Sequence, residues 1–417
     1  MNFTIDDELR KRLAGLRELG RTQIRPLGIE ADRAGKPVDP DHPFYTLLLK
    51  LGLGRTRWLG GHDDNAGQNA TRSRVGSPPS GGERNHKTGA SLTGVLLSEE
   101  LAYWDRGVAV SFPGPGLGEP PVLSMGTAEQ KERFLARFRE PDRPRWGSFA
   151  MTEPGAGSDV AAIRTTCKRD GDHFILDGDK SFAANASRAD WIVVWATADV
   201  SQGRGGHRAF VVERDTPGLG DFKIEKKMGL KAYESTSFTL RSCHVPAANL
   251  LGGDDKYSNP EGSRDAKRAG FKGAMQSFNA TRPMIGAMAV GIGRAALDEA
   301  AAFASEAGRG GDPRVRDGLE RIRRKLRVAR LLCWRAAWLA DQQQPNMVEA
   351  SMAKAHAPTA ALEAATLGME MLGEVGARGD HLVEKLFRDV KAMDIVEGTG
   401  QIQRIVIARN LVGLPRA

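Results

Sequence analysis

One carboxylate near the end of the chain, Glu397, has neighbours that could make it a general base. The apolar residues Ile395 and Val396 precede it, and Gly398 and Thr399 follow it. Apolar surroundings reduce the hydration of a carboxylate and raise its pKa towards neutral pH, which proton abstraction from carbon requires. The same local sequence is also typical of an exposed glutamate at a helix end beside a capping threonine. The local sequence leaves both interpretations open.

The segment 149–159, FAMTEPGAGSD, could bind a planar ligand that carries phosphates. Its glycines add little bulk, so that backbone amides and the hydroxyls of Thr152 and Ser158 could approach such a ligand closely. Taken alone, however, the segment is more typical of a Gly-Pro connection between two domains.

Other common catalytic signatures are missing from the sequence. There is no HExxH, no GxSxG, and no GxGxxG after a strand. The histidines show no ligand spacing, and Cys167, Cys243 and Cys333 form no CxxC pair, so we expect no bound metal. Such sparse cysteines favour reduced thiols in a cytoplasmic protein.

The formal net charge of +8 suits an anionic ligand such as a phosphorylated cofactor, but also nucleic acid. Within the basic run 321–330, Ile322, Leu326 and Ala329 recur at helical spacing and leave the cations largely on the outer face. A solvated helix face is therefore favoured over a nucleic-acid contact. No membrane span and no signal peptide are predicted, which again favours a cytoplasmic protein.

The spacing of apolar residues predicts an α+β multidomain protein in the order helix, sheet, helix. We expect an N-terminal helical domain over residues 1–146, a central antiparallel β-barrel-like domain over 147–252, and a C-terminal four-helix bundle over 253–417. Polar stretches rich in Gly and Ser predict a mobile insertion at about 60–91 and a second insertion at about 253–273.

Three segments together resemble the acyl-CoA dehydrogenase family. They are FAMTEPGAGSD at 149–159, GLKAYESTSFTLRSCHVPAANLLG at 229–252 and DIVEGTGQIQRIVIARN at 394–410. The similarity follows the domain order over nearly the whole chain, and the combination of TEPGAGSD with EGT-x-Q-I-Q-R is highly specific. The resemblance implies an FAD enzyme that introduces an α,β double bond into an acyl-CoA thioester and passes electrons to an electron-transfer flavoprotein.

The resemblance also implies roles for individual residues. Glu397 matches the catalytic base, which removes the α proton while the β hydrogen leaves as hydride to flavin N5. The residues that match flavin-binding positions are Phe149, Met151, Thr152, Gly157, Ser158, Phe182, Ala184, Thr399 and Gln401. Those that match substrate-binding positions are Ser158, Asn279, Arg282 and Gly398. Members that carry the base on an earlier helix would place it at Thr281, which cannot act as one.

Several positions depart from the family pattern. Ala184 offers no hydroxyl to flavin N5, and Glu370 and Glu374 stand where the family commonly has residues that reach a neighbouring subunit's FAD. The segment 304–313 lacks the family's Arg-x-x-Phe-Gly element. These departures fit a homo-oligomer, dimer or tetramer, with weaker flavin binding, or a heteromer completed by a related subunit. Val396, where straight-chain members often have Tyr, leaves room for a branched, cyclic or polycyclic acyl group.

Two other functions fit the sequence less closely. One is an acyl-CoA oxidase-like enzyme whose reduced flavin reacts with oxygen. The other is a basic DNA-associated flavoprotein of the same fold, supported by the net charge and the basic run 321–330. The intact Glu397-Gly398-Thr399 argues against DNA binding alone, because a binding protein does not require a base.

Overall fold

The computed structural model describes residues 3, 5–56, 88–254, 257 and 269–413, with the side chains of 269–280 excepted. The insertions predicted at about 60–91 and 253–273 lie mostly outside the described residues.

Helices make up the N-terminal part of the described chain. They are α1 (Asp7–Leu19), α2 (Arg25–Ala34), α3 (Pro43–Lys50), α4 (Ala90–Ser111), α5 (Glu119–Met125) and α6 (Ala128–Leu135). The carboxylate of Asp6 caps α1 by accepting a hydrogen bond from the Leu9 amide. Leu9 and Leu13 are buried, as their helical spacing predicts.

Helix α4 is broken at Asp105, whose backbone angles of φ −165° and ψ 115° are not helical. The Asp105 carboxylate accepts a hydrogen bond of 2.8 Å from the Val108 amide and so caps the second half of the helix. Gly28 on α2 packs against this carboxylate, and a Cβ at Gly28 would lie 2.0 Å from Asp105 Oδ2. The break therefore depends on a glycine in the neighbouring helix.

Seven strands form one curled sheet in the middle of the chain. They are β1 (Gly147–Ala150), β2 (Thr166–Asp170), β3 (His173–Ala184), β4 (Trp191–Thr197), β5 (His207–Glu213), β6 (Leu219–Ile224) and β7 (Ser235–Pro246). Their order is β1-β4-β2-β3-β7-β6, with β5 beside β4. The β1–β4 and β2–β4 pairs are parallel and the others antiparallel, which confirms a mostly antiparallel domain.

Strand β4 is buried along its whole length because each face of it packs against a different core. Ile192 and Val194 enter the cluster shared with the N-terminal helices. Val193 and Trp195 enter the cluster formed with α5 and α6. A strand covered on both faces consists of continuous apolar residues, as WIVVWAT does.

Long helices return after the sheet. They are α7 (Ala269–Glu306), α8 (Pro313–Asp341), α9 (Met347–Leu372), the short α10 (Glu374–Ala377), α11 (Leu382–Ile395) and α12 (Gly400–Leu411). Helix α7 packs against α8, α9 and α11, and buried alanines line the contacts. Ile322, Leu326 and Ala329 on α8 are buried, as predicted. None of the described helices is both long and apolar enough to cross a membrane.

A buried ion cluster joins the three parts of the fold. The Lys385 ammonium of α11 lies 2.5 Å from Asp105 Oδ2 and 2.6 Å from Asp389 Oδ2. Asp389 Oδ1 accepts a hydrogen bond of 2.5 Å from the Leu230 amide, in the loop between β6 and β7. Burial alone would lower the pKa of Lys385, but the two carboxylates raise it above its usual value.

Replacing Lys385 by Met should therefore destabilise the whole fold. Two buried carboxylates would lose their cation, and we expect the free energy of unfolding to fall by about 3–5 kcal/mol in chemical denaturation. Arg378→Met is the matched control, because the Arg378–Glu374 pair is largely exposed and should contribute less than about 1 kcal/mol. Equal effects of the two substitutions would contradict a special role for the buried cluster.

Candidate active site

Glu397 lies in the tight turn between α11 and α12. Its φ is +55° and that of Gly398 is +88°, so two consecutive residues adopt the left-handed conformation. This conformation costs a residue with a Cβ about 1–2 kcal/mol. Such strain persists where the surrounding structure holds it in place, which is common at functional sites.

Side chains from two helices hold this turn. Gln403 Nε2 of α12 donates to the carbonyl of Gly398 over 3.0 Å. Lys354 Nζ of α9 donates over 2.8 Å to the carbonyl of Asp394, at the end of α11. Gln403 and Lys354 are fully buried. A Cβ at Gly398 would lie 2.7 Å from Gln403 Nε2, so this position requires glycine for space as well as for its φ.

The carboxyl group of Glu397 is enclosed by protein atoms, although the residue keeps some accessible surface. Thr281 Oγ1 of α7 donates to Glu397 Oε2 over 2.5 Å. Burial raises the pKa of Glu397 above its ordinary value, and the Thr281 hydrogen bond and the charges of Arg106, Arg282 and Lys354 oppose the rise. This is the environment of a proton acceptor, not of a solvated glutamate at a helix end.

The other residues expected near Glu397 occupy α7 and the start of α12. Arg282 is 5% exposed, and burial lowers its pKa while the charge of Glu397 opposes that shift. Asn279 lies in α7, but its side chain is outside the described residues. Thr399 accepts a hydrogen bond from the Ile402 amide and caps α12, whereas Gln401 is exposed.

The segment 149–159 forms a loop that leaves the end of β1. Phe149 is half-buried and Met151 is buried, whereas Gly157 and Ser158 are exposed at the tip. The Thr152 carbonyl accepts a hydrogen bond of 2.9 Å from the Ser181 amide, which ties the loop to β3.

A buried ion pair between Glu153 of this loop and Lys180 of β3 stabilises the loop. Glu153 Oε1 lies 2.7 Å from Lys180 Nζ, which also donates to the Met151 carbonyl over 3.3 Å. The Glu153 carboxylate accepts hydrogen bonds from the amides of Arg164 and Thr165 over 2.6 and 3.0 Å. Burial lowers the pKa of Lys180 to about 8, and Glu153 opposes this shift.

Phe182 lies at an irregular point of β3, beside the loop. Its φ is +58° and its side chain is 67% exposed. The β3–β7 pairing shifts register between Lys180 and Ala183, which turns Phe182 out of the sheet. Ala184 is half-buried, and its carbonyl accepts a hydrogen bond of 2.8 Å from Ser148 Oγ.

The second half of α4 connects the loop side of the site to the Glu397 side. Asn185 Nδ2, just after β3, donates to the carbonyl of Val110 over 2.8 Å. Trp146 Nε1, just before β1, donates to the carbonyl of Ser111 over 3.0 Å. The first residue of this half, Asp105, belongs to the ion cluster on α11.

Comparison with known proteins decides the family. The model of the acyl-CoA dehydrogenase middle domain matches residues 148–243, and that of the C-terminal domain matches 268–412. The chain is 33% identical over 415 residues to cyclohexane-1-carbonyl-CoA dehydrogenase from Geobacter metallireducens, covering 98% of this chain and 99% of that protein. The chain belongs to the acyl-CoA dehydrogenase family.

Two further relatives agree with this assignment. Short-chain specific acyl-CoA dehydrogenase from Bos taurus mitochondria is 38% identical over 331 residues, covering 78% of this chain and 73% of that protein. The structure of butyryl-CoA dehydrogenase from Megasphaera elsdenii matches with a TM-score of 0.81 and 29% identity, over 99% of this chain and 100% of that chain. The helix, curled sheet and helix order is thus the acyl-CoA dehydrogenase fold.

Members of the acyl-CoA dehydrogenase family are FAD-dependent, and the residues of this chain fit that cofactor. An exposed aromatic ring at Phe182 offers a surface for a planar ring system. Beside it, a Cβ built at Gly155 or Gly157 would meet no atom within 4 Å, so there is open space next to the loop amides.

The sequence did not point to several residues that shape this site. Lys354 lies in an Ala-rich helix, and nothing in the local sequence indicates that its ammonium donates to the Asp394 carbonyl, 40 residues later in the chain. Arg106 lies outside every segment that carried the resemblance. Gln403 belongs to the motif at 394–410, but only the structure shows that it braces Gly398.

The two unusual carboxylates on the C-terminal helices are both exposed. Glu374 pairs with Arg378 of its own chain over 3.0 Å, and Glu370 lies on the outer surface of α9. The repulsion that they could exert on a neighbouring phosphate is therefore partly neutralised at Glu374.

Thr281→Val should raise the pKa of Glu397 further, because it removes a hydrogen bond that favours the ionised form. A base acts when deprotonated, so the rising limb of a pH–rate profile for flavin reduction should move to higher pH. Thr281→Ser keeps the hydroxyl and should leave the limb near its wild-type position. An unchanged limb in Thr281→Val would show that the hydrogen bond has no part in tuning Glu397.

Proposed function

We propose that this chain catalyses the FAD-dependent α,β-dehydrogenation of an acyl-CoA thioester, with Glu397 as the base that removes the α proton. The observation that carries the proposal is the enclosed Glu397 carboxyl with its raised pKa, held on a strained and braced turn. A general base works best when its pKa lies close to the working pH, and burial moves Glu397 in that direction.

In this proposal the residues around Glu397 tune and orient it. Thr281 fixes one carboxyl oxygen, and the nearby cations keep the pKa from rising so far that Glu397 stays protonated. The Glu397 backbone N–H donates to the thioester carbonyl and stabilises the charge that develops there. The chemistry that FAD would supply when bound is the acceptance of the β hydrogen as a hydride.

The remaining assignments belong to the same proposal. Asn279, Arg282, Gly398 and Ser158 contact the CoA thioester. The residues that hold FAD are Phe149, Met151, Thr152, Gly157, Ser158, Phe182, Ala184, Thr399 and Gln401. An electron-transfer flavoprotein accepts the electrons. The protein is cytoplasmic, with domains at 1–146, 147–252 and 253–417, the last a four-helix bundle around α7, α8, α9 and α11.

The acyl group in this proposal is branched or cyclic. Val396 precedes the base and leaves more space than a larger aromatic side chain would. The relative from Geobacter metallireducens is named for a cyclohexane-1-carbonyl thioester, which supports the same choice.

Glu397→Gln should keep binding CoA thioesters but lose flavin reduction, because the amide cannot accept the α proton. We expect the rate of flavin bleaching, followed by stopped-flow absorbance under anaerobic conditions, to fall by about 10²–10⁴ or more. Glu320→Gln, on an exposed face of α8, is the control and should bleach at the wild-type rate. Bleaching by Glu397→Gln at the wild-type rate would exclude Glu397 as the base.

The altered contacts to a neighbouring FAD lead us to propose a heteromer completed by a related subunit. The chain purified alone should then hold clearly less than one FAD per chain, measured by the absorbance ratio of flavin to protein after gel filtration. Tight FAD at one per chain would instead indicate a homo-oligomer that needs no second gene product.

A further inference from the structure

Two polar groups near Glu397 have no hydrogen-bond partner among the described residues. The Arg106 guanidinium makes no hydrogen bond or ion pair with the described residues, and its Nε is fully buried. The Tyr233 hydroxyl likewise has no partner within the described chain. A largely buried cation whose N–H donors are unpaired costs free energy, even with the Glu397 and Asp105 carboxylates nearby, so its presence calls for an explanation.

Both groups face accessible space. Arg106 is only partly buried as a residue although its Nε is sealed, so accessible surface remains on the outer part of the guanidinium. Tyr233 is also half-buried, and its hydroxyl oxygen keeps accessible surface. The two terminal groups therefore keep accessible surface and are not sealed in the packed core.

Backbone packing brings these residues together beside the site. Arg106 follows the break at Asp105, on the half of α4 that connects the loop side to the Glu397 side. A Cβ at the next residue, Gly107, would lie 3.3 Å from Ala232 and from Leu230, so α4 touches the loop that carries Tyr233. After burial, Tyr233 and Glu397 are the ionisable groups that affect the pKa of Arg106 most strongly.

Several cations lie close to Glu397. Arg106, Arg282 and Lys354 all act on Glu397, which is a single carboxylate. Lys227 lies close by, with Nζ 3.3 Å from the centre of the Tyr233 ring, but burial lowers its pKa to about 7, so it carries only part of a charge at neutral pH. Lys385 is paired with two carboxylates, Asp105 and Asp389, so its cluster adds no cation to this group.

We propose that Arg106 and Tyr233 form a subsite for a carboxylate on the acyl group, so that the substrate is a CoA thioester of a dicarboxylic acid. The guanidinium supplies two parallel N–H donors, the geometry that a carboxylate accepts, and the phenol supplies a third donor. An acyl group without this carboxylate leaves the guanidinium unpaired. The inference rests on the proposed function, because it names the acyl group that Glu397 would deprotonate.

The test compares esters that differ only in the distal group, using the FAD-loaded enzyme. The pairs are adipoyl-CoA with hexanoyl-CoA, and 4-carboxycyclohexanecarbonyl-CoA with cyclohexanecarbonyl-CoA. The wild type should prefer the carboxylate ester of at least one pair by about 10- to 100-fold in kcat/KM for flavin reduction. In Arg106→Gln this ratio should fall to near one, whereas Arg106→Lys should retain part of it and Tyr233→Phe should lose a few-fold.

The ratio separates the subsite from other roles of Arg106. A change in the ionisation of Glu397 alters both esters of a pair equally, and so leaves the ratio unchanged. Arg323→Gln, an exposed residue on α8, is the control and should keep the wild-type ratio.

Three results would overturn the inference: no wild-type preference in either pair, an unchanged ratio in Arg106→Gln, or loss of FAD from Arg106→Gln and Arg106→Lys alike. If the wild type reduces its flavin with none of the esters, the proposed function fails too. If it reduces flavin equally with both esters of each pair, only the carboxylate subsite fails.

Discussion

The ion cluster of Lys385 with Asp105 and Asp389 is the contact on which the arrangement of this protein depends. One ammonium connects an N-terminal helix to a C-terminal helix, and through Asp389 it also holds the loop between β6 and β7. Apolar packing alone allows helices to slide, whereas buried charges must find their partners at one position. The cluster therefore joins α4, α11 and the loop between β6 and β7 at one point.

The same cluster explains the path of α4. Two contacts of the Asp105 carboxylate stabilise its non-helical conformation. The carboxylate accepts a hydrogen bond from the Val108 amide, and it forms an ion pair with Lys385. The break comes immediately before Arg106, the residue of the proposed carboxylate subsite. Asp105 thus has a structural role, and the next residue, Arg106, has the proposed role in substrate binding.

Features that depend on local sequence periodicity were predictable in this protein, whereas contacts between residues distant in sequence were not. The apolar run WIVVWAT is typical of a buried strand, and the spacing of Ile322, Leu326 and Ala329 predicts a buried helix face, because both depend on local sequence. Strands β2 and β6 could not be predicted from the sequence. Most of their residues are half-buried or exposed, so the strands have little apolar character. Glu397 was found through its motif. The partners that tune it lie on α4, α7 and α9, and only the folded chain shows that they converge.

The left-handed backbone at Glu397 has a consequence for how this protein can change over evolution. Asparagine, aspartate and glycine adopt that conformation more readily than glutamate does. Replacement by any of them would relieve strain at the turn while shortening or abolishing the proposed proton acceptor. A relative that only binds thioesters is therefore a short mutational step away, and stability would not select against it.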